Sequence, residues 1–202
     1  SFPHAIRSER YWRNIISKVG DKYQRDLATS ILDTVIHKQG GKLSARQKAV
    51  LDRVKQERFP NLNTYQEEII ADLKKARESV KVAVSWLTDR ALLNELTAAA
   101  KRGLSVQVIV SNDDLNLIRE SSYWELINAG GFLKKLGSTS PEEGNFMHCK
   151  FYIIDDKVAK SGSFNWTLNG SVNYETLDEV PADKKIELFD TLFSNSSNFF
   201  GK

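Results

Sequence analysis

From residue 64 onward, short β-branched runs alternate with amphipathic helical stretches, and this change of period constrains the chain more than any other feature. Thr64 and Glu67 have the spacing of a capping box, in which hydroxyl and carboxylate satisfy free N–H groups, and they open a helix to about Ser79. Val80, Val82, Val84 and Trp86 then alternate as a strand. A helix over residues 90–102 stops at Gly103, and 105–110 is a run of the kind found in strands buried on both faces. A further helix follows Ser122 and ends at Gly130-Gly131, and residues 132–136 form the next strand. Residues 151–154 are another buried strand with Asp155-Asp156-Lys157 as its turn. Pro181 precedes a last helix whose apolar positions are Ile186, Leu188, Phe189, Leu192 and Phe193. Strands linked through helices of this length need right-handed crossovers. The expected fold class is therefore α/β, a largely parallel sheet with helices on both faces.

Before this domain the chain predicts a small helical module over residues 1–60, so the expected division is 1–60 and 61–202. Ser8 caps a first helix running to about Val19. Tyr23, Leu27, Ile31, Leu32, Val35 and Ile36 form an apolar stripe along a second, which Gly40-Gly41 ends. Ser44 and Gln47 make a capping box for a third helix to about Arg58, and Pro60 and Asn61 mark the boundary. Net charge is only +3, but residues 1–60 hold 13 Lys or Arg against 6 Asp or Glu, while the remainder holds 16 against 20. A basic front on an acidic body, with Tyr11, Trp12 and Tyr23 among its aromatics, suits a polyanion partner; a solvated helical bundle explains the same pattern equally well.

With 41% apolar residues the chain is globular. Its apolar runs, such as 80–87 and 151–154, fall well short of the roughly 20 residues that cross a bilayer, so no transmembrane segment is expected. Ser1-Phe2-Pro3-His4 lacks a secretory pattern, and the expected location is cytoplasmic. The single cysteine, Cys149, excludes an internal disulfide and offers no thiolate cluster for structural zinc. Neither metal nor cofactor is called for.

The densest chemistry lies in His148-Cys149-Lys150, four apolar residues, Asp155, and then Gly162-Ser163-Phe164-Asn165-Trp166-Thr167. Residues two apart on an extended chain project to the same side, so His148 and Lys150 face one site. The ammonium supplies charge and donors for phosphate oxygens. The imidazole offers a nitrogen that acts as nucleophile or proton carrier near neutral pH. Gly162 permits a close backbone turn, and Ser163 and Asn165 add neutral donors. Together these describe a cradle for a phosphodiester. Cys149, between the two, points to the opposite, buried face. The polar stretch 137–145 reads as a loop bordering the cleft.

This arrangement resembles the HxKxxxxD signature of the phospholipase D superfamily, with its trailing GSxN element. The likeness runs from about Thr64 to the end and takes in Thr88-Asp89, Arg102-Gly103 and Asn173-Tyr174-Glu175. It implies metal-independent, two-step displacement at phosphorus, in which His148 attacks to form a phosphohistidine and a second histidine protonates the leaving oxygen. Lys150 and Asn165 would hold the phosphoryl oxygens, Ser163 would assist, and Glu175 would orient the imidazole. Asp155 would support the site from its turn, and is also an ordinary turn residue. Family members use two such motifs, whereas this chain has one: His4 and His37 lack a lysine two positions on. The resemblance therefore implies a homodimer that brings two motifs together across a two-fold axis.

The single-motif branch includes bacterial endonucleases and a mitochondrial cardiolipin hydrolase. The basic front favours nucleic acid, DNA first, as the partner. Phospholipid is the alternative substrate, though no anchor or apolar rim is evident in the sequence. A catalytically quiet nucleic-acid-binding module is the third reading, and a retained histidine argues against it.

Overall fold

In the computed structural model the chain divides into two units, Ser1–Asn63 and Thr64–Lys202. The structure describes residues 4–5, 9–58, 64–167 and 175–201. Ser8, the Pro60-Asn61 boundary and Asn173-Tyr174 lie outside the described residues, as do the side chains of His4 and Thr64.

The first unit holds helices α1 (Glu9–Ser17), α2 (Lys22–Lys38) and α3 (Ala45–Arg58), with a two-residue ribbon of β1 (His4–Ala5) against β2 (Lys42–Leu43). Asp21 caps α2 by accepting from the Gln24 N–H at 2.8 Å. The capping box at α3 forms: the Gln47 N–H donates to Ser44 Oγ at 3.2 Å, and the Ser44 N–H donates to Gln47 Oε1 at 2.9 Å. Tyr11, Trp12, Ile15, Ala28, Leu32, Val35 and Leu51 make the core. Tyr11 and Trp12 are thus interior residues rather than surface aromatics. Tyr23 and Leu27, expected on the buried stripe of α2, are 75% and 38% exposed. The inward face is centred on Ala28, about 100° around the helix from Leu27. Several basic groups are engaged locally, Arg13 with Glu9 and Asp33, Lys22 with Asp26, and Lys48 with Asp52.

The second unit is built on a seven-stranded sheet, order β8-β7-β6-β3-β4-β5-β9. Its strands are β3 (Ser79–Val84), β4 (Ser105–Ser111), β5 (Phe132–Leu136), β6 (Lys150–Ile154), β7 (Val158–Gly162), β8 (Leu177–Val180) and β9 (Ser197–Asn198). Helices α4 (Thr64–Lys75), α5 (Arg90–Lys101), α6 (Glu120–Asn128) and α7 (Ala182–Asn195) cover it. Ile69, Leu73, Leu92, Leu96, Tyr123 and Leu126 pack on one face against the valines of β3 and β4. Phe189 of α7 packs on the other against Ala83, Ile109, Phe151 and Ile153. The α/β class with helices on both faces is as expected from the sequence.

Among the strands of the described residues, parallel pairing joins β3, β4 and β5, the strands linked through α5 and α6. All other neighbours are antiparallel. For β6 and β7 the reason lies in the connection: Asp155-Asp156-Lys157 is too short for a crossover, so β6 must return as a hairpin into β7. Lys160 on β7 ties α4 to the sheet through Glu68 and Asp72, each at 2.6 Å, and the Tyr152 hydroxyl donates to Asp72 at 2.7 Å.

Candidate active site

The antiparallel insertion of β6 beside β3 decides where the chemistry lies. Lys150, the first residue of β6, pairs with Val84 near the C-terminal end of β3, and Phe151 pairs with Ser161 near the end of β7. The segments entering β6 and leaving β3, β4 and β7 therefore meet at one end of the sheet, the end at which open α/β sheets hold ligands. His148 is exposed there and Lys150 is half-buried. The Lys150 ammonium donates to the His148 carbonyl at 2.9 Å, lies 3.4 Å from both His148 ring nitrogens, and is 3.4 Å from Ser85 Oγ. The charge of Lys150, with a smaller contribution from burial, holds the His148 imidazole below its usual pKa. Burial lowers that of Lys150, while Cys149 and the Glu175 carboxylate act in the opposite sense. Cys149 is half-buried against the α7 side of the sheet, and desolvation raises its thiol pKa.

Ser163 and Glu175 are brought together from either side of β7 and β8. The Ser163 hydroxyl donates to the Glu175 carboxylate, and the Thr176 N–H donates to Ser163 Oγ at 2.9 Å. Gly162 makes this possible: a Cβ there would stand 2.0 Å from the Thr176 carbonyl oxygen. Asn165 Oδ1 accepts from the Trp86 N–H at 3.4 Å. The N–H groups of Thr88 and Asp89 donate to the Trp166 carbonyl at 2.8 and 2.9 Å, stitching the loop after β7 to the loop after β3. Asp89 is buried, caps α5, and accepts from Gln66 at 2.6 Å. Among the described residues, then, His148, Lys150, Ser163, Asn165 and Glu175 gather at one sheet end. Glu175 bonds Ser163 there rather than the imidazole.

Asp155 is elsewhere. It follows Ile154 at the opposite end of β6, about 16 Å of strand from Lys150 at roughly 3.3 Å per residue. Its carboxylate accepts from the N–H groups of Arg77, Glu78 and Ser79 at 2.7 to 3.1 Å. Burial pushes this carboxyl up, yet the three N–H groups together with Lys157 outweigh it and hold its pKa below the usual range. Asp155 thus clamps the connection between α4 and β3.

The sequence reading missed a buried polar network beneath the cradle. Asn116 is fully buried: its amide donates to the carbonyls of Ser85 and Ser111 at 3.1 and 3.2 Å, and its oxygen accepts from the Leu87 N–H at 2.9 Å. Tyr123 completes it by donating to the Leu87 carbonyl at 2.8 Å, and burial drives its phenol pKa up. One cue was present, a serine directly after each of the apolar runs of β3 and β4. Also missed was an apolar rim. In the 3-10 turn Asp114–Arg119, Asn116 takes the inward position, so Leu115, Leu117 and Ile118 are turned outward, 58%, 43% and 62% exposed.

Residues 69–196 match the family model described as "Cardiolipin synthase, PLD-like domain". The chain belongs to this phospholipase D-like family. Among curated relatives of this phospholipase D-like chain, the major cardiolipin synthase ClsA of Bacillus subtilis is 27% identical over 124 residues, 58% of this chain and 25% of that protein. Cardiolipin synthase 2 of Staphylococcus epidermidis is 30% identical over 115 residues, 53% of this chain and 23% of that protein. The chain thus spans about a quarter of the length of the curated relatives it matches. Among solved structures, NucT from Helicobacter pylori is similar with a TM-score of 0.59 and 25% identity, covering 69% of this chain and 94% of NucT. Nuc from Salmonella typhimurium, a phospholipase D family member, shares the fold with a TM-score of 0.56 and 20% identity, over 68% of this chain and 91% of Nuc.

Proposed function

We propose that this phospholipase D-like protein is a metal-independent nuclease that cleaves nucleic-acid phosphodiesters, DNA first, through a phosphohistidine. The observation that carries the reading is the ammonium of Lys150 held 3.4 Å from both His148 ring nitrogens, at the same sheet end as Ser163, Asn165 and Glu175. A neutral imidazole nitrogen attacks phosphorus, a P–N bond forms and the P–O bond to the leaving strand breaks. The leaving oxygen takes its proton from a second imidazole, which then removes a proton from the water that cleaves the P–N bond. Lys150 and Asn165 hold the non-bridging oxygens. Ser163 and Glu175 support the cradle as a bonded pair. The second imidazole is His148 of a partner copy, brought across a two-fold axis. A cradle that grips backbone fits a substrate recognised by phosphate rather than by sequence.

Phospholipid hydrolysis is the second reading. The outward-facing Leu115, Leu117 and Ile118 beside the cradle favour it, as does the likeness to proteins named cardiolipin synthases. No helix among the described residues is long and apolar enough to cross a membrane.

Purified protein in EDTA, offered single- and double-stranded DNA and RNA and, separately, vesicles containing anionic phospholipid, decides between the two. The nuclease reading expects cleavage of nucleic acid that His148→Ala abolishes by at least ~1000-fold. That variant should keep its Tm, since His148 is exposed. Release of a headgroup with every polymer left intact would overturn this reading in favour of the lipid one.

A further inference from the structure

The cradle has aromatic walls. Trp86 follows β3 by two residues, and its ring centroid lies 6.4 Å from that of His148 at an interplanar angle of 89°. Phe146 lies 6.2 Å from His148 and 5.7 Å from Trp86, so the two rings and the imidazole stand within one nucleotide's reach of each other. Neither ring belongs to the core: Trp86 and Phe146 are both half-buried.

Both rings are held from behind. The Trp86 indole N–H donates to Asp113 Oδ2 at 2.9 Å, and the other oxygen of Asp113 accepts from the Leu115 N–H at 2.9 Å, which fixes the carboxylate. Phe146 is set by a bridge to Gly137, where φ is +86° and a Cβ would stand 2.4 Å from the Asn145 carbonyl oxygen. Packing alone gives no reason to orient two partly solvated rings beside a phosphate cradle. Aromatic rings in such a place are stacking platforms for bases, and the stacking is tolerant of sequence because every base has a π-face.

We propose that Trp86 and Phe146 stack the unpaired base next to the scissile phosphate, which makes the enzyme selective for single strands. The inference rests on the nuclease reading and adds to it the form of the substrate. In a duplex each base is already stacked between neighbours, so it reaches the rings only after being unstacked. A single strand swings a base onto them freely.

The test compares kcat/KM for a single-stranded DNA oligonucleotide, the same strand with abasic positions, and the same sequence as a duplex. Wild-type protein is expected to cut the base-bearing single strand about 10- to 100-fold better than either of the others, the range that stacking of one base supplies. Trp86→Ala and Phe146→Ala bring the base-bearing to abasic ratio toward one, whereas Trp86→Phe keeps most of it. Equal wild-type cleavage of base-bearing and abasic strands overturns the stacking role while leaving the nuclease reading intact, and it needs no variant to fold. Failure to cut any of the three or their RNA counterparts overturns the nuclease reading itself, and this inference with it.

Discussion

The Lys150 ammonium lies 3.4 Å from each ring nitrogen of His148 and donates to the His148 carbonyl at 2.9 Å. A cation so close disfavours a proton on the ring, and in the proposed mechanism the same Lys150 offers its charge to a phosphate. The proposed nucleophile and the proposed anion-binding group are thereby coupled.

That coupling sets a pH dependence. His148 is expected to titrate below 6.5 in the folded protein, so the neutral, nucleophilic ring persists to lower pH than in a free histidine. Lys150→Met removes the charge and should move the titration up toward 6.5, read directly from the His148 ring proton by NMR. An unchanged titration in the variant would mean that the ammonium does not govern the ring. Turnover in the same variant should fall by roughly two to three orders of magnitude, as for the loss of a transition-state donor.

Gly162→Ala tests the close approach of two segments. The added Cβ meets backbone, the Thr176 carbonyl oxygen at 2.0 Å, and backbone cannot swing aside as a flexible side chain can. The variant should lose about 1–3 kcal/mol of stability, as overpacked sites do, and most of its activity, because Ser163 and Glu175 are displaced together. Wild-type turnover would show that the Ser163–Glu175 pair is not needed.

Asp155→Ala separates the support of the fold from the chemistry. Losing a carboxylate that accepts from three N–H groups should cost about 1–2 kcal/mol at pH 7, comparable to losing a strong helix cap. The folded-state pKa is depressed, so this stabilisation is present above 3.8 and is lost as pH falls through the folded value. In urea titrations the difference between wild type and variant should shrink in strong acid. The turnover of folded protein should stay within a few-fold of wild type. A loss approaching that of His148→Ala would place Asp155 in the chemistry despite its distance.

Strands β3 to β6 were legible because period two and β-branching act locally, and β5 falls on the expected residues, 132–136, whereas the more polar β7, β8 and β9 were not. Helix ends were less so: α4 stops at Lys75, where Ser79 was expected, because Ser79 pairs with Ser105 in the sheet. Along α2, Leu32 and Val35 are buried as expected, but the first half of the stripe was misplaced, since the sequence offers Leu27 and Ala28 alike and only the approach of α1 and α3 selects the smaller. Asn116 gave no local signal. Its meaning rests on carbonyls 5 and 31 residues away in the chain.

What the sequence by itself determined was the residue set: His148 and Lys150 two apart, then Ser163 and Asn165 two apart, in an α/β pattern. Spacing along an extended chain is a local property, and so is the β-branching that makes the strands. What only the tertiary structure decided was which of these residues share a site. The short turn after β6 forces a hairpin into β7, and the antiparallel pairing of β6 with β3 sets Lys150 against Val84 and sends Asp155 to the far end of the sheet. Glu175 reaches Ser163 because Gly162 lets two backbones touch, and Trp86 reaches His148 because β3 and β6 are neighbours. These meetings depend on pairing between segments up to about 80 residues apart, and no period in the sequence encodes them.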